Sequence, residues 1–147
     1  MENNNQVQKP ETMRLEMESY SHNEQFARVV TAVFLSRLDP TLEEMEDVKT
    51  AVSEAVTNAV IHGYEGGEGK IILEATLEDS AVTICIRDNG VGIADIHKAM
   101  EPLYTSKPSN ERSGMGFSFM EAFMDSVTVE SEPGKGTTVT MKKKIGR

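Results

Sequence analysis

Cysteine is almost absent from this chain of 147 residues, which contains only Cys85. An internal disulfide bond is therefore excluded. Cys85 lies within the apolar segment AVTICIRD, and this setting favours a buried strand residue over a reactive thiol.

Long apolar runs are missing as well. No segment approaches the roughly 18 apolar residues of a membrane-spanning helix. The first residues, MENNNQVQKPETM, lack the apolar core of a secretory signal. We therefore expect a cytoplasmic protein that does not contact a membrane.

Positive charge is scarce, since 15 Lys and Arg residues stand against 24 Asp and Glu residues and the formal net charge is -9. Proteins that bind nucleic-acid phosphates normally present a basic face, and here only the end, KKKIGR, is notably basic. Direct binding of nucleic acid is thus disfavoured. The acidic surface fits a basic protein partner, or only a solubilising role.

Several common catalytic motifs are also lacking. The segment EGK is not a phosphate-binding P-loop, because the earlier glycine is absent and Ile71 follows the lysine. The three histidines do not have metal-ligand spacing, and one cysteine cannot form a zinc site. The hydrolase pattern G-x-S-x-G does not occur.

The length predicts one domain. We expect a disordered tail over residues 1–11 and a single domain over residues 12–147. The patterns predict strands at 13–20, 70–78, 81–88, 127–132 and 136–144. A first helix ends before Asp39-Pro40, a second runs from a capping box at Thr41 to His62, and others cover 93–101 and 114–124. This order has too few alternating βα units for a doubly wound fold. It predicts the α+β class, with a mostly antiparallel sheet and helices on one face.

The second helix places two polar residues together. Glu54 and Asn58 are four residues apart and point the same way. An exposed pair on a surface helix is the simplest interpretation of the helix alone. Later motifs suggest a functional alternative.

The segment DNGVG joins a strand to a helix. Asp88 ends the strand and could accept a hydrogen bond from the exocyclic amine of adenine. Gly90 and Gly92 permit a close backbone approach or positive φ. An ordinary turn explains these residues equally well.

The segment SGMGF opens the helix after a polar loop. Its backbone N–H groups form a natural phosphate site, and Lys107 and Arg112 could reach phosphate oxygens. A flexible helix start is the alternative. Thr137, in the last strand, could hydrogen-bond a base or serve only as a good strand former.

Four segments, SEAVTNAVIHGY, DNGVGI, TSKPSNERSGMGF and GKGTTV, resemble in order and spacing the ATP-site motifs of the GHKL superfamily. That superfamily includes DNA gyrase, Hsp90, histidine kinases and MutL. The segments NEQFAR and PLYTSKPSNERSGMGF are similar to the anti-sigma F branch of its serine kinases, from endospore-forming bacteria. The resemblance covers residues 13–144.

The resemblance implies the Bergerat α/β sandwich, a lid over residues 103–113, and the cofactors ATP and Mg²⁺. It implies that Glu54 is the general base, that Asn58 ligates Mg²⁺ and that Asp88 reads the adenine amine. The other implied nucleotide-binding residues are Gly90, Gly92, Thr105, Lys107, Arg112, Ser113, Gly114, Met115, Gly116, Phe117 and Thr137.

The resemblance also implies partners. Members of the anti-sigma F branch are homodimers that bind a sigma factor, here of the sigma F type, when ATP is present. They phosphorylate a serine on an anti-anti-sigma protein. The helix at NEQFAR is the implied dimer and partner region, with Arg28 facing the partners.

Four alternatives remain beside an enzyme that is also an inhibitor. A pure binding module would use ATP only to order a partner surface. A general-stress anti-sigma kinase is disfavoured by the different lid sequence. A detached histidine-kinase domain lacks the preceding helix pair with a phospho-acceptor histidine, and a gyrase-like or Hsp90-like ATPase needs further domains.

Overall fold

One antiparallel sheet of five strands carries the fold, in the order β1-β2-β3-β5-β4. The computed structural model describes residues 9–100 and 116–146. The strands are β1 (Glu11–Glu18), β2 (Lys70–Glu78), β3 (Ala81–Asp88), β4 (Ser126–Glu132) and β5 (Gly136–Lys144). All four pairings are antiparallel, which confirms the predicted α+β class.

Helices supply the second layer. They are α1 (Asn23–Leu35), α2 (Leu42–Asn58), α3 (Ile96–Ala99) and α4 (Gly116–Phe123). A 3₁₀ turn, Ser36–Leu38, follows α1, and a π-helical turn, Ala59–Gly63, follows α2. In the part of the chain that the structure describes, no helix combines the length and apolar character needed to cross a membrane.

The strands present alternate residues to the helices. In β3, Val82, Ile84 and Ile86 are buried beneath the helical layer, while the residues between them are half-buried on the other face. Cys85 lies on that other face, where Thr140 Oγ1 is 3.9 Å from its Sγ. The expected burial of Cys85 was therefore wrong, because the period of two turns this residue away from the core.

Helix α2 is the central helix, and α1 and α4 both pack against it. Its start is the predicted capping box: Thr41 Oγ1 accepts from Glu44 N–H at 3.0 Å, and Thr41 N–H donates to Glu44 Oε1 at 2.9 Å. Every residue from 51 to 60 is buried. The interpretation of Glu54 and Asn58 as an exposed surface pair is consequently wrong, since helices and sheet together enclose this stretch.

Strand β1 covers Glu11–Glu18 and not the predicted 13–20, so Glu11 belongs to the sheet and not to the predicted tail. Two helix boundaries also differ from the predicted ones, for local reasons. Helix α2 ends at Asn58 instead of His62, because the next turn is π-helical and Tyr64 N–H donates to Ala59 O at 3.0 Å. Helix α3 begins at Ile96 and not at Ile93, since the Ile93 N–H is held by Ser131 Oγ at 2.7 Å.

Candidate functional site

A cavity of about 320 Å³ lies between α2, the loop after β3 and strand β5. Its walls carry both polar and apolar side chains, as is usual for small-molecule sites. Among the lining residues that bear on function are Asn58, Gly63, Asp88, Gly92, Phe117 and Thr137. Thus the two motifs that the sequence singled out on α2 and after β3 meet in one cavity.

Asp88 supplies the buried acidic group of the cavity, with 6% of its surface exposed. Burial raises the pKa of its carboxyl group, and hydrogen bonds from the backbone N–H groups of Gly90 and Thr137 oppose that rise. The Gly90 N–H lies 2.8 Å from Oδ1. A carboxylate fixed in this way can accept a further N–H from a ligand in the cavity.

Thr137 lies beside Asp88, because these residues are cross-strand partners in β3 and β5. The Thr137 hydroxyl is 2.8 Å from Ser131 Oγ, which donates to Gly136 O at 2.9 Å. Serine has one hydroxyl proton, so the Thr137 hydroxyl is the donor in this pair. Its oxygen keeps the capacity to accept a hydrogen bond from a ligand or a bridging water.

Asn58 offers an oxygen suited to a cation. It lines the cavity with 9% of its surface exposed, and its buried Oδ1 makes no hydrogen bond within residues 9–100 and 116–146. Amide oxygens are ligands of Mg²⁺, which takes few protein ligands and keeps waters and phosphate oxygens as the rest. The Asn58 oxygen therefore fits the implied Mg²⁺.

A cluster that could bind a metal without phosphate is not seen in the described ranges: no three His, Cys, Asp or Glu residues come together there.

Glu54 is one helical turn before Asn58 and is 5% exposed. It does not line the cavity. Its neighbour Ser53 is also buried and donates a hydrogen bond to the Glu24 carboxylate of α1. This contact joins α1 to α2 next to Glu54.

The glycines after Asp88 have distinct roles. Gly92 has φ of 81°, the left-handed conformation that glycine adopts easily. A Cβ on Gly90 would lie 1.9 Å from Gly63 O, so glycine at position 90 permits a close approach to the π-helical turn that follows α2. Gly90 itself does not line the cavity.

Comparison with known proteins decides the family. The family model for the histidine kinase-like ATPase domain matches residues 18–143. The anti-sigma F factor of Clostridium acetobutylicum is 61% identical over 133 residues, covering 90% of this chain and 93% of the relative. That of Clostridium botulinum is 63% identical over 134 residues, covering 90% and 94%.

This chain belongs to the anti-sigma F factor family. Solved structures agree on the fold. The RsbU and RsbW domains of a Mycobacterium tuberculosis protein align with a TM-score of 0.66 at 20% identity, covering 93% of this chain and 32% of the other. A blue-light activated histidine kinase domain of Erythrobacter litoralis gives 0.55 at 16% identity, covering 83% and 61%.

Several expected ligand residues of this anti-sigma F family member lie outside the described residues, as does the lid over residues 103–113. These are Thr105, Lys107, Arg112, Ser113, Gly114 and Met115. The two that follow are described: Gly116 begins α4, and Phe117 lines the cavity.

The expected partner residue Arg28 is half-buried on α1, and its buried Nε has no hydrogen bond within the described ranges. The same helix exposes Phe26, Val29 and Val33, at 51%, 51% and 64% of their surface. These three residues have helical spacing and form one apolar stripe, which we call the α1 stripe.

Sequence reasoning missed two polar residues that organise the site. Ser131 connects Thr137 with Ile93 N–H, and Tyr64 connects the end of α2 with Asn89 N–H. Both side chains bind residues that are distant in the sequence, so no local sequence motif indicates these contacts.

Proposed function

We propose that this protein binds ATP with Mg²⁺ in the cavity and uses that complex for two activities. It inhibits a sigma factor of the sigma F type, and it phosphorylates a serine of an anti-anti-sigma protein. The observation that carries the proposal is that the buried side-chain oxygens of Asp88 and Asn58 line one cavity, whose volume of about 320 Å³ is within the usual range for small-molecule sites. The names of the 58–63% identical relatives support the sigma-factor partner.

Adenine is the base best suited to the Asp88 side of the cavity. Its exocyclic amine donates where a carboxylate accepts, whereas the carbonyl at the same position of guanine would face a negative charge. The Thr137 hydroxyl oxygen can accept a hydrogen bond from the base or from a bridging water. The apolar wall, including Ile86 and Val139, suits the faces of the ring.

Asn58 would hold the Mg²⁺ ion beside the phosphates. When bound, that ion supplies charge neutralisation on the phosphate oxygens. The Asn58 amide contributes position: it extends from the part of α2 in which every residue is buried, so its oxygen has little freedom to move. Helix α4 begins at Gly116, directly before Phe117, which lines the cavity.

Glu54 is proposed as the general base. The serine hydroxyl of the antagonist gives its proton to the Glu54 carboxylate as the serine oxygen forms a bond to the γ-phosphorus. The bond from that phosphorus to the bridging oxygen breaks, and ADP leaves. Holding the base one turn from Asn58 fits a reaction in which positioning supplies much of the catalysis.

Helix α1 is the proposed surface for the sigma factor, the antagonist and the second subunit of a homodimer. The α1 stripe is apolar and exposed, and the acidic net charge of -9 favours basic partner surfaces. Ser53 and Glu24 link this helix to α2. The helix proposed to bind partners is therefore hydrogen-bonded to the helix that carries Glu54 and Asn58. We place these events in the cytoplasm, in one domain whose first strand begins at Glu11 and not at the expected residue 12.

A second candidate is an ATP-gated binding module without kinase activity. The absence of Glu54 from the cavity lining favours it, since a base must reach the substrate hydroxyl. The two functions differ in whether the γ-phosphate is transferred.

Phosphate transfer from γ-labelled ATP·Mg²⁺ to the serine-bearing antagonist tests the proposal. Wild type is expected to label one serine, and Glu54→Gln is expected to lower the rate by about 10²–10⁴-fold while nucleotide binding persists. The matched control is Glu43→Gln, at an exposed position near the start of the same helix. Unlabelled antagonist in the presence of bound ATP would instead support the binding module. Full activity of Glu54→Gln would refute the assignment of the base.

A further inference from the structure

Tyr64 joins three segments of chain through one phenol oxygen. Its hydroxyl donates to Lys70 O at 2.6 Å, at the start of β2, and accepts from Asn89 N–H at 2.8 Å, directly after Asp88. Tyr64 itself follows the π-helical turn at the end of α2. The phenol thus donates its one proton to a backbone carbonyl and accepts a hydrogen bond from a backbone N–H.

The surrounding backbone is shaped to admit the Tyr64 ring. A Cβ on Gly69 would lie 2.3 Å from the ring, so only glycine leaves room for it there. A parallel contact reinforces the junction: Val91 N–H donates to Gly63 O at 2.8 Å. The residues on either side of Gly90 are therefore both hydrogen-bonded to the chain just after α2. Asn89 is held by the Tyr64 hydroxyl and Val91 by the Gly63 carbonyl.

We propose that Tyr64 is a positioning residue for base recognition, which holds the loop after β3 so that the Asp88 carboxylate faces the nucleobase. The inference rests on the proposed function, because it assigns a role toward ATP. Tyr64 does not line the cavity, so its effect reaches the base through Asn89 and Asp88.

A comparison of ATP with inosine triphosphate separates positioning from general stability. Inosine triphosphate has the same sugar and phosphates but carries a carbonyl where adenine has its amine. Tyr64→Phe removes the hydroxyl and keeps the ring. It is expected to weaken ATP binding by roughly 3- to 10-fold, the value of one hydrogen bond, and to change inosine triphosphate binding by less than twofold.

The matched control is Tyr20→Phe, at a tyrosine that is 52% exposed, and it should bind both nucleotides as wild type does. Calorimetric titration in the presence of Mg²⁺ gives the affinities. The inference is overturned if Tyr64→Phe binds ATP like wild type, or if it loses affinity for both nucleotides equally. Wild type that binds neither nucleotide, or shows no preference for ATP, overturns the proposed function and the inference with it.

Amide hydrogen exchange on the nucleotide-free protein tests the positioning without a ligand. The Asn89 N–H should exchange faster in Tyr64→Phe than in wild type, while amides in the centre of β3 keep their rates. An unchanged Asn89 rate contradicts the inference even if ATP binding proves correct.

Discussion

Asp88 and Thr137 are cross-strand partners at adjoining ends of β3 and β5, and the Thr137 N–H donates to the Asp88 carboxylate. The pair places a buried acceptor beside a hydroxyl at one wall of the cavity. Burial outweighs the two backbone donors, so the pKa of Asp88 is raised. The charged form of Asp88 therefore destabilises the nucleotide-free fold, while it is the form that the proposed recognition of adenine requires.

We predict that Asp88→Asn stabilises the empty protein and weakens ATP binding. A carboxyl group whose pKa is higher in the folded state contributes stability below its unfolded pKa, and that stability is lost as the pH rises through the folded pKa. Asparagine does not ionise, so the variant does not lose stability as the pH rises. The gain in the free energy of unfolding should thus be full above the raised pKa and vanish below about pH 4.

Denaturant unfolding of both proteins at several pH values measures this difference. ATP affinity should fall by about 10- to 100-fold, as expected for loss of a hydrogen bond to a charged group. A stability difference that grows as the pH falls would contradict the stated environment of Asp88.

Much of the fold follows from local pattern. Strands β2 and β3 have their predicted bounds because their period-two alternation is unbroken and Asp79 and Ser80 turn with φ of 53° and 63°. The capping box at Thr41 was likewise predicted. These features depend on residues close in sequence, where propensity and pattern agree.

The site could be predicted only in part. Helical periodicity identifies the apolar face of α2, but it does not show that Glu54 and Asn58 are enclosed by other elements. The contacts of Tyr64 with Asn89 and of Ser131 with Ile93 join residues 25 and 38 positions apart. No periodic signal reports such pairs. The family resemblance supplied the roles that composition and spacing left open.

Thr41→Ala should lower the free energy of unfolding by about 1 kcal/mol, the usual contribution of an N-cap side chain. The Glu44 N–H loses its acceptor, and the first turn of α2 loosens far from the cavity. The kinase activity of the remaining folded protein should be unchanged. Denaturant midpoints provide the measurement.

Leu42→Ala is the control for that prediction, because Leu42 is in the same turn but 86% exposed. A substitution of this kind normally changes stability by less than about 0.5 kcal/mol. Equal losses in the two variants would argue against a specific capping role for Thr41.

Ser131→Ala should both destabilise the fold and disturb the nucleotide site. The half-buried Ile93 N–H would lose its acceptor and the Thr137 hydroxyl its partner, which costs about 1–3 kcal/mol. Because Ile93 and Thr137 both line the cavity, ATP affinity should also fall. Unfolding and nucleotide titration measure the two effects.

Ser126→Ala serves for comparison, since Ser126 is exposed on the same strand. It should leave nucleotide affinity unchanged. If Ser131→Ala binds ATP as tightly as this control, the hydroxyl network around Thr137 does not contribute to the site.

One cavity is proposed to govern both sigma-factor binding and phosphoryl transfer. Asn58→Ala tests this role most directly, because the variant removes the buried oxygen assigned to Mg²⁺ and leaves α1 intact. Sigma-factor binding should be measured with and without ATP·Mg²⁺ for wild type and variant, with circular dichroism confirming the fold. Wild type should bind the sigma factor much more tightly when ATP·Mg²⁺ is present, and Asn58→Ala should show no such gain. An equal ATP-dependent gain in Asn58→Ala would contradict the account.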